Sequence, residues 1–331
     1  MKTYLRLEPA SKGDRVLIVA PHIDDEVVGA AGYAMDARTN GAEVFVAFLT
    51  VGDANRISAF MLNGTLGANP KSFLSVGRTR IAEARAAMRK LGVREDHYFI
   101  LAYPDRRLRR MLANRGEVVQ SASTGVSDVP YPQAMSPGAP YRFANLMSDM
   151  RRVVAAARPT VVIAPVRFDG HEDHGACAEI VDLAFADFAG RPGRLGFLVH
   201  GIGVPLALLP MKGQPLVPPW KARHLDWAMY PLSPAAREKK DALLRSYRSQ
   251  WPYNRLLRNA FVRANELFLL EEWQQIGGTL TAETQKGTLT AETQRENFVE
   301  ETERGTIGEE TQGGNLDDEA LQETIGDETQ A

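Results

Sequence analysis

Short apolar runs and helical periodicities alternate along most of the chain. Arg15–Ala20 (RVLIVA) is a continuous run of strand length, followed by a polar cluster and a Gly/Ala-rich stretch of helical length, Glu26–Thr39. The unit recurs as Glu43–Thr50 (EVFVAFLT), a long loop, and Ser75–Leu91, where Ile81, Ala84, Ala87, Met88 and Leu91 keep helical spacing before Gly92 as a stop signal. Tyr98–Ala102 reads as a strand, Asn145–Ala157 as a helix, Thr160–Val166 as a buried strand after Pro159, and His174–Phe188 as a helix. Beyond Arg194 the pattern loosens. Gly196–Leu209 is expected to add strands, Ser233–Ser249 reads as a helix opened by Ser and Pro, and Asn254–Trp273 as a final helix or two. The alternation predicts an α/β fold, a mainly parallel sheet with helices on both faces. Ligands of such sheets sit beyond the carboxyl ends of the strands, so chemistry is expected in the loops after Ala20, Thr50, Ala102 and Val166. Tyr103–Tyr141, rich in Ser, Pro, Gly and Arg, reads as an active-site lid or substrate loop.

From Gly278 to Ala331 the chain is six copies of a nonapeptide, each with a large apolar residue at its third position (Leu280, Leu289, Phe298, Ile307, Leu316, Ile325). Nine residues turn a helix by a net half revolution, so successive apolar residues face opposite sides and no stripe can be buried. The repeat also lacks the Gly-Gly-x-Gly-x-Asp spacing of calcium-binding β-rolls. It holds fourteen acids against three bases, so the overall charge of −2 hides a basic body and an acidic end. Residues 1–276 are therefore expected to form one folded domain and 277–331 an acidic, disordered tail, with weak docking or self-association as its other reading.

At 44% hydrophobic and 24% charged the composition excludes collagen-like and wholly disordered chains. One cysteine, Cys177, allows no internal disulfide and no Cys-rich zinc site; it reads as a buried packing residue. No segment has the apolar length of a membrane span and the first residues carry no apolar signal region, so a cytoplasmic location is expected. The body's modest positive charge, without interleaved aromatics, gives no reason to expect a nucleic-acid partner. The run Arg106-Arg107-Leu108-Arg109-Arg110 reads as a solvated helix face, or as a grip on a phosphate-bearing substrate. A homo-oligomer stays open.

Two of the four loops concentrate His and carboxylate. After the first strand the chain reads Pro21-His22-Ile23-Asp24-Asp25-Glu26; after Thr160–Val166 it reads Arg167-Phe168-Asp169-Gly170-His171-Glu172-Asp173-His174. A helix cap accounts for one Asp but not for the set. A divalent cation held by His and Asp accounts for both loops, with zinc taking three protein ligands: His22, Asp25 and one of His171 or His174. Asp24 is then placed to take a proton from water, the second histidine to donate to an oxyanion or leaving amine, and Asp173 to orient a histidine. Fe(II), Co(II) and Mn(II) suit the same donors.

These motifs, with TVGD at Thr50–Asp53, the Arg78–Glu83 helix pattern, YPD at Tyr103–Asp105, Lys240–Leu243 through Tyr247 and Gln250, and Asn265–Phe268, resemble the LmbE/PIG-L family of zinc-dependent N-deacetylases over about residues 14–269. The resemblance implies a Rossmann-like fold that hydrolyses the acetamide of an N-acetylated amino sugar or glycoconjugate. It implies zinc on His22, Asp25 and His174, Asp24 as general base, His171 as oxyanion donor, and Asp173 holding His171 or steadying the loop. Arg80 and Asp105 match positions near the sugar; the plainer readings are an Arg80–Glu83 helix pair and a turn closed by Asp105. Asp169 stands where some members carry an aromatic residue. Two rival readings remain: a glycosidase using Asp24, Asp25 or Glu26, and a non-catalytic sugar-binding relative that uses the repeats for assembly.

Overall fold

The computed structural model describes residues 4–64, 69–186, 188, 191–201, 212–250 and 255–271. Its strands are β1 (Leu5–Arg6), β2 (Arg15–Ala20), β3 (Glu43–Thr50), β4 (Tyr98–Tyr103), β5 (Val161–Pro165), β6 (Gly193–Phe197), β7 (Trp227–Pro231) and β8 (Asn265–Glu271). The helices are α1 (Asp25–Thr39), α2 (Arg56–Asn63), α3 (Pro70–Leu91), α4 (Leu108–Ala113), α5 (Phe143–Ala157), α6 (Glu172–Ala184), α7 (Pro234–Leu244) and α8 (Arg255–Phe261). The strands form one sheet in the order β1-β7-β8-β6-β5-β2-β3-β4, parallel throughout except for β8. The expected α/β architecture is thus the one observed.

From β2 the chain winds outward through β3 to β4, then returns to place β5 on the other side of β2 and continues to β6. Right-handed crossovers in opposite directions put α1 and α6 on opposite faces. Helix α1 packs on β2, β3 and β8, while α5 and α6 pack on β2, β4 and β5. Being covered on both faces, β2 and β3 are apolar at every central position, and Val16 to Ala20 and Val46 to Leu49 are fully buried. The reversal between β2 and β5 makes their carboxyl ends the point where the strand order changes direction, the usual ligand position of such sheets.

Several boundaries differ from the sequence reading. Asn265–Glu271, read as helix, is an inner strand running antiparallel between β7 and β6. Its run Leu267–Leu270 is continuously apolar, a pattern that periodicity cannot divide between buried helix and buried strand. Helix α3 starts at Pro70, earlier than expected, because Asn69 and Ser72 form a reciprocal capping box. The Tyr103–Tyr141 segment is a packed part of the body: Val129, Tyr131 and Tyr141 are buried, Met135 N–H donates to Ile100 O (2.7 Å), and Tyr131 Oη donates to Asp53 (2.6 Å). Of the strands expected in Gly196–Leu209, β6 is seen, and residues 202–210 lie outside the described residues. The chain divides into two units, Met1–Ile276 and Gly277–Ala331. The repeats, with the disordered tail expected of them, also lie outside the described residues. Among those residues no helix is long and apolar enough to cross a membrane.

Candidate active site

Five loops meet at the carboxyl edge of the parallel strands. The first follows β2, where Asp24 adopts a left-handed backbone (φ 109°) and lets α1 start at Asp25, whose charge suits a helix N-terminus. The turn folds the loop on itself: His22 N–H donates to Asp25 Oδ2 (3.0 Å), and His22 Nδ1 lies 3.1 Å from the same oxygen. The second follows β5, where His171 caps α6, its Nδ1 accepting from the Asp173 N–H (3.2 Å). Asp173 and His174 then fall in the first turn, and His174 Nε2 lies 3.2 Å from Asp25 Oδ2. A third imidazole completes the group, since the His171 ring stands 4.8 Å from that of His22 and 5.3 Å from that of His174.

Whether this set can hold a cation is decided by its spare donors. His174 is wholly buried, yet its Nε2 makes no hydrogen bond of good geometry. Orphaned buried nitrogens are costly unless another partner is intended. Two ligand atoms at tetrahedral angles on one zinc stand about 3.3 Å apart. The 3.1 and 3.2 Å separations of His22 Nδ1 and His174 Nε2 from Asp25 Oδ2 are close to such edges. The donor set fits a small divalent cation.

The remaining candidates surround this centre. Arg80, buried under Gly52, donates to Gly52 O (2.9 Å), to Ile23 O, and to Asp24 Oδ1 (3.2 Å). The expected Arg80–Glu83 pair is not formed; Glu83 accepts from Ser249 N–H and Oγ. Asp105 accepts from the Ala54 N–H (2.7 Å) and lies 3.3 Å from His22 Nε2, so its carboxylate faces a histidine and a backbone amide. Of the two readings of Asp173, the loop brace is the one seen. Its carboxylate accepts from the Arg106 (2.6 Å) and Leu108 (3.0 Å) N–H groups and comes within 3.4 Å of His22 Nε2, while His171 meets only its backbone. Cys177 is fully buried, and Arg109 of the basic run pairs with Glu179.

The family model described as GlcNAc-PI de-N-acetylase (PIG-L) matches residues 17–185, the segment that supplies all eight of these candidate residues. The chain belongs to the PIG-L family. A 1D-myo-inositol 2-acetamido-2-deoxy-alpha-D-glucopyranoside deacetylase of Actinosynnema mirum is 30% identical over 174 residues, 52% of this chain and 55% of that protein. The chain thus spans about half the length of the curated relatives it matches. Among solved structures, the pseudoaglycone deacetylase Dbv21 aligns with a TM-score of 0.50 at 18% identity, over 79% of this chain and 98% of that one. GalB, a 4-carboxy-2-hydroxymuconate hydratase from Pseudomonas putida, aligns equally well at 0.50 and 14% identity, over 83% and 100%. Both likenesses concern the fold, and one fold hosts several chemistries.

Within this PIG-L domain, charge is arranged around the histidines. Burial alone would drive His22 and His174 down; Asp105, Asp173 and Asp25 hold His22 well above its ordinary value, and Asp25 and Asp169 hold His174 up at about 9. Burial works against the charge on Asp25, but His174 and His22 keep it well below the usual carboxylate range. The carboxylates therefore favour the protonated form of two imidazoles, and a cation bound there would displace those protons. His171 is the exception. Burial, with the His22 and His174 charges, pushes it down to about 4, so near neutral pH it is uncharged. Because its Nδ1 accepts from the Asp173 N–H, its one proton sits on Nε2.

Two residues at this centre were given no role in the sequence reading. Asp169, two before His171, places Oδ2 3.3 Å from His174 Nδ1, and His200, from the loop after β6, lies 3.2 Å from Asp169 Oδ1. The signal for Asp169 was available, since a ligating histidine usually has a carboxylate on its other nitrogen and the same loop offered one. His200 carried none, because the stretch around it had no legible period.

Proposed function

We propose that this protein is a metal-dependent N-deacetylase that hydrolyses the acetamide of an N-acetylated amino sugar or its conjugate. The observation that carries the reading is the convergence of His22 Nδ1 and His174 Nε2 on one oxygen of Asp25, with Asp24 next in the chain. A divalent ion, zinc in the first instance, supplies a Lewis acid that makes water acidic near neutral pH. Asp24, oriented by Arg80, accepts the proton of the attacking water. His171, its Nδ1 engaged and its proton on Nε2, donates a hydrogen bond to the oxygen that gains charge as the carbonyl is attacked. The carbon–nitrogen bond then breaks, Asp24 returns its proton to the amine, and acetate leaves. Water and amide become acid and amine, with no further reactant. A carboxylate-only glycosidase has no use for three adjoining imidazoles.

The test is acetate release from the inositol-linked N-acetylglucosamine of the Actinosynnema mirum relative and from simpler N-acetylglucosamine conjugates, by metal-replete protein. Asp24→Asn should lose about 10²- to 10⁴-fold in kcat while still binding one equivalent of zinc. His174→Ala should lose the zinc as well. Full turnover in either variant, or turnover indifferent to chelators, would remove the mechanism. Stoichiometric zinc with no turnover on any acetamide would favour the sugar-binding reading.

A further inference from the structure

Resting on the metal site proposed above, we infer that Asp169 is a positioning residue that sets which nitrogen of His174 faces the cation. Its carboxylate is buried and each oxygen has a separate task. Oδ2 accepts from the Val199 (2.8 Å) and His200 (3.1 Å) N–H groups and lies 3.3 Å from His174 Nδ1. Oδ1 accepts from the His171 N–H (3.0 Å) and meets His200 Nδ1 at 3.2 Å, with the half-exposed His200 ring lying over this side of the group, 4.7 Å from the ring of His174. An acceptor held so firmly by three backbone amides cannot turn away from His174. A carboxylate at Nδ1 keeps the imidazole proton there and leaves Nε2, the nitrogen 3.2 Å from Asp25, as a lone pair for the cation. The device joins the β5 and β6 loops, and it depends on a carboxylate at the position where the resemblance to the family suggests an aromatic side chain.

Asp169→Asn tests this. The Val199 and His200 N–H groups keep the amide oxygen at the place of Oδ2, so His174 Nδ1 faces a neutral carbonyl oxygen in place of a carboxylate and its hold on the ring proton weakens, while the NH2 takes the place of Oδ1. Two readouts apply besides activity: Co(II) affinity of the full chain by chelator competition, and the paramagnetically shifted ring N–H signals of the Co(II) protein. Wild type should show a slowly exchanging His174 Nδ1–H. The variant should exchange that proton faster and bind Co(II) about 10- to 100-fold more weakly, with the Tm of the metal-free protein little changed. Wild-type affinity together with an unchanged His174 signal would overturn the inference. Should the variant fail to fold, the wild-type spectrum decides: nuclear Overhauser contacts from the His174 ring N–H to the Val199 and His200 amides support it, and a ring proton lost at once to bulk water overturns it. A wild-type chain that binds no Co(II) would instead overturn the metal-site reading on which this inference stands.

Discussion

Asp24 holds the backbone at φ 109° and ψ −23°, a conformation that glycine adopts freely and that a Cβ opposes. Strain of this kind persists only where the surroundings over-determine it, and here Arg80, Glu26 and the start of α1 do so. The strain can be separated from the carboxylate by comparing two truncations. Asp24→Ala and Asp24→Gly both lose the side chain, but only glycine relaxes the backbone. In urea titrations Asp24→Gly should therefore be about 1 kcal/mol more stable than Asp24→Ala, the reverse of the usual glycine penalty, and both should be inactive. Equal stability would mean that the turn carries no strain. At this scale the sequence sufficed where a residue's type and its loop were enough: the loops that carry His22, Asp25, His171 and His174 come together. It misled where the partner lay elsewhere in the chain, as with Arg80, which reaches back to Gly52 and Ile23 and leaves Glu83, on its own helix, to Ser249.

The elements are tied together by a buried ion pair away from the site. Lys240 on α7 donates to Glu266 Oε1 (2.7 Å) and to Val28 O (2.8 Å), while Glu266 on β8 also accepts from the Gly32 (2.8 Å) and Tyr33 (2.9 Å) N–H groups of α1. Gly32 permits this approach, because a Cβ there would run into Leu232 and Glu266. Three elements thus share one pair of charges, and the helix they fix is the one that begins at the metal-ligand candidate Asp25. Lys240→Met strands a buried carboxylate and should cost about 3–5 kcal/mol by denaturant unfolding. Adding Glu266→Gln should cost less than the sum of the single changes, because the second removes the charge that the first stranded. Strict additivity would show the two side chains to be independent. Lys240 and Asn265–Phe268 were legible as motif residues but not as a brace, since β8 was read as helix. A strand between two others whose middle residues, Leu267–Leu270, are all apolar has no polar side there to give it a period of two.

For the molecule as a whole, the order of strands decides where chemistry can occur, and strand order is what a linear pattern states least. Periodicity yields strands and helices in succession; it does not say that β5 returns to lie beside β2, which brings the His22 and His174 loops together. The rule that ligands sit at carboxyl ends pointed to those loops, and their His and carboxylate clusters singled out two of them. The same view bears on the nonapeptide repeats. We propose that residues 1–276 act without them: the last strand among the described residues, β8, closes at Glu271, and every candidate site residue lies between His22 and His200. The repeats also carry the chain's acidic excess, so removing Gly277–Ala331 turns a slightly acidic protein into a basic one. The shortened chain should keep kcat/KM within about twofold and melt within a few degrees of the full chain, while moving from an anion to a cation exchanger at neutral pH. A large fall in kcat/KM with unchanged melting would assign the repeats a part in substrate capture, and a broad, early melt would make them part of the fold.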